Sequence, residues 1–329
     1  MSKMYFYTET AFHHQGDMAF MKGLIDASKS SGANGVKFQV MTRTSDFIST
    51  KHKAFKDLDS YCFDIKQWHE IFVYTKNAEL DIIMMPLNTE AFELLNSFDV
   101  KYLDIHSVSF YDNVLLKNIK NSKKEIILGV GGRTLNEIEE KINFFGDKLK
   151  VLMVGFQSFP SKLEDVKIGK IAFLKNKFPN LHIGYADHSA FDNIYAITSN
   201  EYASILGATI FEKHITTSEG IERVDYSAAV SSDKMREIIE KVNFINEYVN
   251  TDYDTSFEFT TAETIYRERQ LRCVVKKDLK AGTIFNEDMI LLKLIDDQID
   301  AFSNVNDLIG KTLLHDMTED SVIKIQNVI

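Results

Sequence analysis

Two histidines, His188 in "IGYADHS" and His214 in "TIFEKHITT", each stand where a short apolar run gives way to polar residues. Imidazoles at the ends of neighbouring parallel strands can point at one spot, and that is a metal geometry. With carboxylates and water as the remaining donors, the pair suits a divalent cation of oxygen and nitrogen preference, Mn2+ first, with Mg2+ or a similar ion as alternatives. One histidine alone is more often structural, so the pairing carries the reading. The two cysteines, Cys62 and Cys273, have neither the number nor the spacing of a thiolate site or a disulfide framework. They read as buried small hydrophobes in a reducing compartment.

Other residues add to the pair. Glu9 ends the run "MYFYTE" and can act as a general base. Lys37 lies inside the apolar run "GVKFQV", where an unpaired charge costs several kcal/mol, so it needs an anion: either a substrate phosphate or carboxylate, or a structural pair with Glu9 on the neighbouring strand. "GVGGRTLNEIEE" joins a glycine-rich turn to a helix opened by Thr134, with Glu137 three residues on, the pattern of a capping box. A helix N-terminus beside Arg133 can attract an anion. The same residues can equally do no more than end a strand and start a helix.

The elements that must position these groups form an ordered series. Eight β-rich runs ("MYFYTE", "GVKFQV", "DIIMMPL", "YLDIHS", "EIILGV", "KVLMVGF", "HIGYADH", "TIFEKHI") alternate with helix-like segments such as "MAFMKGLIDASKSSG", "IKQWHEIFVYTKNAEL", "TEAFELLNSF" and "TLNEIEEKINFF". The runs are almost continuously apolar, as strands of a parallel sheet covered on both faces should be. Eight such units over about 250 residues predict an α/β fold of the (β/α)8 TIM-barrel type. A doubly wound open sheet is the alternative, but "TETAFHHQGD" after the first run is not its glycine-rich turn. A barrel collects chemistry at the C-terminal ends of its strands, so Glu212, Lys213 and His214 are all expected to face one polar mouth.

The barrel is assigned to residues 1–249 and a polar linker with a short helix to 250–268. A small β-rich domain, rich in Lys-Asp and Ala-Gly turns, is assigned to 269–329. The net charge of −10 argues against a nucleic-acid partner, which would require clustered Lys and Arg. No window approaches the roughly 20 apolar residues of a membrane span, and "MSKMYFYTET" has no leader pattern. No membrane association and a cytoplasmic location are expected.

Read in order, these motifs resemble the N-acetylneuraminate (sialic acid) synthase family, including its spore-coat-polysaccharide relatives. "TETAFHHQGD" sits where that family has a Glu followed by an Asn-His-x-Gly turn, and "GANGVKFQV" resembles its Gly-Ala-x-x-Val-Lys-x-Gln strand. "FPSKLEDVKIGKI", "IGYADHS" and "IFEKHI" are similar to its Tyr-Pro, Ser-Asp-His-Thr and Glu-Lys-His segments. "KKDLKAGTIFNEDMI" resembles its antifreeze-like (SAF) domain, which caps the partner protomer's active site. The resemblance implies metal-dependent condensation of phosphoenolpyruvate with an N-acyl amino sugar, giving a nonulosonic acid for surface polysaccharide, in a domain-swapped homodimer. It implies His188 and His214 as metal ligands and Glu9 as the base. Lys37, Gln39, Ser107, Gln157 and Asp225 become substrate contacts.

The chain also departs from that pattern. Asp104 stands where the family has a lysine that holds phosphoenolpyruvate, a change of two charge units at an anion site. Met85, Gly129 and Ala186 replace hydroxyl residues, Ser109 an acidic one, Phe159 a tyrosine and Leu294 an arginine of the capping domain. Arg133, Lys213 and His106 remain as groups able to compensate. Two functions are therefore weighed: a divergent synthase with a rearranged anion site, or a metal- or sugar-acid-binding relative that acts as a binding or regulatory subunit.

Overall fold

The computed structural model describes residues 4–155, 158–249, 258–296 and 299–329. The chain divides into two compact units, Met1–Asp252 and Tyr253–Ile329.

In the first unit, eight strands close in sequence order into a barrel. They are β1 (Tyr5–Glu9), β2 (Gly35–Val40), β3 (Asp81–Pro86), β4 (Tyr102–Ile105), β5 (Ile126–Gly129), β6 (Leu149–Val154), β7 (His182–Asp187) and β8 (Ile210–His214). Each pairs in parallel with its neighbours, and β1 pairs with both β2 and β8, which closes the ring. Because side chains alternate along a strand, each strand serves two cores. Phe6, Phe38, Leu103 and Phe211 point outward into the layer shared with the helices. Tyr7, Ile83, Tyr102, Ile127, Val151 and Ile210 point inward and fill the barrel below its mouth. Burying each of these large side chains stabilises the fold by roughly 1.5–3 kcal/mol, which explains why the runs are apolar at nearly every position.

Local signals set the helix boundaries. Asp17 caps the helix Met18–Ser31 by accepting from the backbone N–H groups of Ala19 and Phe20, and Gly32, at φ 84°, ends it in the left-handed conformation. Thr134 and Glu137 form the predicted capping box at the start of Leu135–Phe145. The expected helix in "TEAFELLNSF" is instead a 3-10 helix over Thr89–Asn96. A 3-10 helix rises about 2.0 Å per residue against 1.5 Å for an α-helix, so this short connection reaches further between strands.

The second unit holds a helix at Thr261–Glu268 and an antiparallel pair, β9 (Arg272–Val275) and β10 (Ile290–Lys293). That helix falls in the stretch read from sequence as a linker and belongs to the second compact unit; residues 250–257 lie outside the described part. Cys273, Phe285, Leu308, Leu313 and Ile323 form the unit's own small core. Cys62 and Cys273 are both free thiols; Cys273 is buried as expected, whereas Cys62, at the end of the helix Phe55–Tyr61, is only half-buried.

Candidate metal centre and active site

Strand alternation decides which polar residues reach the mouth. On β8, Glu212 and His214 are two residues apart and point inward together, above Ile210. Lys213 lies between them and points to the other face of the wall. There its Nζ donates to Asp187 Oδ2 at 2.8 Å and to the Ser189 carbonyl at 2.9 Å, and Asn200 donates to the same carboxylate oxygen at 3.2 Å. The expectation that all three ionisable residues of "FEKHI" share the mouth is corrected by this geometry. Asp187 leaves with Lys213, its register partner.

Inside the mouth, Glu9, His188, Glu212 and His214 are all buried, and each offers a ligand atom within 4.8 Å of the others. The imidazoles of His188 and His214 lie with centroids 5.0 Å apart, and the Phe159 ring stands edge-on to both. His188 is only 5% exposed, yet neither of its ring nitrogens has a hydrogen-bond partner. An orphaned buried imidazole is rare unless something else satisfies it, and a cation would do so. Burial, with the nearby His214 adding to it, pushes the His188 pKa down to about 3, so its ring is neutral with a lone pair free to ligate. Two imidazoles and two carboxylates form a donor set that fits Mn2+, Mg2+ or a related divalent ion.

Lys37 stands beside this cluster and is enclosed by acids. Its Nζ is 2.7 Å from Glu212 Oε2, 3.0 Å from Asp104 Oδ2 and 3.1 Å from Glu9 Oε2. Of the two anions weighed from sequence, the structural pair with Glu9 is present, and two further acids join it. Burial would lower the lysine's pKa, but the three carboxylates outweigh it and hold the ammonium well above its usual range. Burial tends to raise Glu9 as well; the Lys37 ammonium, with the His214 imidazole 3.2 Å from Glu9 Oε2, prevails and keeps it well below the usual carboxylate range. Glu212 goes the other way, raised by burial and by the neighbouring Glu9. The cluster therefore contains one firmly ionised carboxylate and one that readily holds a proton.

A cavity of about 360 Å³ opens over these groups. Glu9, Lys37, Asp104, His188 and Glu212 line it with charged and polar groups, Met85, Met153 and Ala186 with apolar ones, and His106 and Ser107 also contribute to its lining. Gly155 also lines it, at φ 127°; a Cβ there would come within 2.2 Å of the Ala186 carbonyl oxygen, so only glycine lets the chain leaving β6 come this close to β7.

The other residues expected at the site take various places. Gln39 is buried and donates to Glu9 Oε1 at 2.8 Å, so it orients that carboxylate without lining the cavity. Ser107 is exposed at the rim. Asp225 is half-buried in the left-handed conformation, φ 62°, and burial raises its carboxyl, but it does not line the cavity. Gln157 lies outside the described residues. The three groups expected to compensate for Asp104 are not free to do so. Lys213 faces away, and the Arg133 guanidinium donates to the Ser107 carbonyl at 2.7 Å and stacks 4.1 Å from the Phe110 ring centroid. His106 is kept neutral by burial, its pKa lowered to about 4.

Two features go beyond the sequence reading. Glu212, expected at the mouth but assigned no role there, joins the candidate donor set, and its signal is the Glu-x-His spacing on one strand, which puts both side chains on the same face. His13, after β1, bridges Thr216 Oγ1 at 2.9 Å and the Val224 carbonyl at 2.7 Å, while Arg223 donates to the carbonyls of His13 and His14. These contacts tie the turn after Glu9 to the segment that carries Asp225.

A closed parallel barrel with a carboxylate–histidine cluster at its C-terminal mouth belongs to the class of (β/α)8 barrels that concentrate their polar chemistry there. More narrowly, the chain belongs to the NeuB family, whose profile matches residues 24–252. It is 26% identical to the N,N'-diacetyllegionaminic acid synthase of Campylobacter jejuni, over 98% of this chain and all of that one. It is 22% identical to human N-acetylneuraminate-9-phosphate synthase, over 96% of this chain and 90% of that one. Among solved structures, the N-acetylneuraminic acid synthetase of Leptospira borgpetersenii superposes with TM-score 0.72 at 22% identity, covering 81% of this chain and 90% of that one. The spore coat polysaccharide biosynthesis protein of Bacillus subtilis superposes with TM-score 0.65 at 20% identity, covering 99% and 95%. No helix among the described residues is long and apolar enough to cross a membrane.

Proposed function

We propose that the protein is a divergent nonulosonic-acid synthase, condensing phosphoenolpyruvate with an N-acyl amino sugar in surface-polysaccharide biosynthesis. The observation that carries this reading is the buried cluster of Glu9, His188, Glu212 and His214 opening on a cavity large enough for small polar substrates. His188 and His214 would hold the cation, Mn2+ in the first instance, with Glu9 and Glu212 completing its donors. Once bound, the ion supplies Lewis-acid polarisation of the sugar aldehyde. The enol carbon of phosphoenolpyruvate then bonds to the aldehyde carbon, water adds to the carbon bearing the phosphate ester, and phosphate leaves. Glu9, held ionised and oriented by Gln39, is placed to take the proton from that water, and the former aldehyde oxygen gains one proton to become the product's hydroxyl, so that the protons balance. Ser107 at the rim and Asp225 beyond it serve as contacts for the phosphorylated acid and the amino sugar, and Gln157 is assigned to the same role by position in the family pattern.

The second unit is read as an antifreeze-like domain over 269–329, capping the mouth of a partner protomer in a cytoplasmic homodimer; a monomeric mass at micromolar concentration would reject that assembly. The chemistry is tested by supplying Mn2+, phosphoenolpyruvate and a panel of N-acyl hexosamines and measuring phosphate release. Turnover on at least one sugar is expected. Absence of turnover on all of them by the metal-loaded protein would replace the synthase with a binding or regulatory relative.

A further inference from the structure

We infer that Asp104 makes capture of the anionic donor depend on the bound cation: the metal-free mouth rejects phosphate esters, and the divalent ion must enter first. The inference rests on the proposed function in taking a phosphorylated acid as donor. Among the described residues, Lys37 is the only lysine or arginine that lines the cavity. An ammonium has three N–H donors, and here three carboxylates stand at 2.7, 3.0 and 3.1 Å to receive them. A phosphate approaching Lys37 would have to displace one carboxylate while facing two more. The apolar lining residues Met85, Met153 and Ala186 bring no side-chain donor. Of the nearby cations, Lys213 is committed to Asp187 on the outer face and Arg133 to the Ser107 carbonyl.

Asp104 is the member of this cage that the cation does not need. Glu9 and Glu212 belong to the ligand cluster, whereas Asp104 engages Lys37 and the Ile105 backbone N–H. Its negative charge therefore stays in the mouth when the metal sites fill, and it keeps Lys37 turned away from incoming anions. Asp104 is a specificity-determining, positioning residue.

The test is calorimetry on the full chain, stripped with chelator or loaded with Mn2+, using phosphoenolpyruvate and inorganic phosphate as probes. Binding of phosphoenolpyruvate at least about 100-fold tighter to the loaded protein is expected, from the change in local charge. Equal affinity in the two states would overturn the inference, and that comparison needs no variant. Asp104→Asn should tighten binding to the stripped protein by about tenfold while leaving Mn2+ affinity within about threefold. Unchanged binding by a folded Asp104→Asn would remove Asp104 from the account. Mn2+-dependent donor binding without turnover on any sugar would contradict the proposed function and leave this inference standing. Turnover with metal-independent donor binding would do the reverse, and no donor binding in either state would contradict both.

Discussion

Two buried lysines lie on opposite faces of the same barrel wall, and the difference between them separates structure from function. Lys213, facing outward, meets one carboxylate, Asp187, and two oxygens of Ser189, so its charge and its donors are matched. Lys37, facing inward, meets three carboxylates beside two imidazoles, His188 and His214, whose ring nitrogens have no hydrogen-bond partner among the described residues. A balanced buried pair is complete as it stands. An ammonium with three acids leaves negative charge over, and that excess, next to His188, is what a divalent cation would neutralise.

Removing each lysine's charge separates the two cases most strongly. Lys213→Met leaves Asp187 buried and unpaired and should cost about 3–5 kcal/mol of stability, with no recovery on adding Mn2+. Lys37→Met should cost at least as much in the stripped protein, but Mn2+ should restore a large part of it, because the acids left behind include cation ligands. Denaturant melts of both variants with and without Mn2+ check this; rescue of Lys213→Met, or none for Lys37→Met, would erase the distinction.

Metal linkage gives the next largest effect. At a free Mn2+ concentration 100 times its dissociation constant, the native state should gain about 2.7 kcal/mol, and His188→Ala should abolish that gain. Thermal melts against Mn2+ concentration measure it directly.

Acid provides a finer probe of the mouth. The His188 pKa is lowered to about 3 in the folded state, so the unfolded chain takes up that proton first. Its contribution to stability is therefore complete above about pH 6.5, the unfolded value, and is lost as pH falls toward 3. In stripped protein, wild-type stability should fall relative to His188→Gln by about 1.4 kcal/mol per pH unit through that window. Parallel urea melts of the two at pH 7 and pH 5 decide it, and identical slopes would show that the imidazole is not desolvated as described. The smallest effect belongs to the outer face: Asn200→Ala removes one hydrogen bond to Asp187 and should cost about 1 kcal/mol without altering metal affinity.

Much of this arrangement was legible in the sequence, for identifiable reasons. The barrel followed from eight apolar runs, and the Thr134–Glu137 cap from a purely local pattern. The histidine pair was legible because parallel neighbours bring their ends together. What misled was parity. The strands are buried on both faces, so their sequences lack the apolar–polar alternation that tells inward from outward, and Lys213 was placed at the mouth with Glu212 and His214. The Lys37 cage was only partly visible: Glu9 lies on the adjoining strand, but Asp104 and Glu212 are 67 and 175 residues away and reach Lys37 across the barrel interior. His13 meets Val224 over 211 residues with no local signature at all.

The excess acid around Lys37 and the orphaned His188 together make a cation site. Diffraction at the manganese absorption edge from a crystal soaked in Mn2+ decides whether the site exists. One anomalous peak within bonding distance of both His188 and His214 is expected. A mouth without a peak under saturating Mn2+, or a peak bound by neither imidazole, would contradict it.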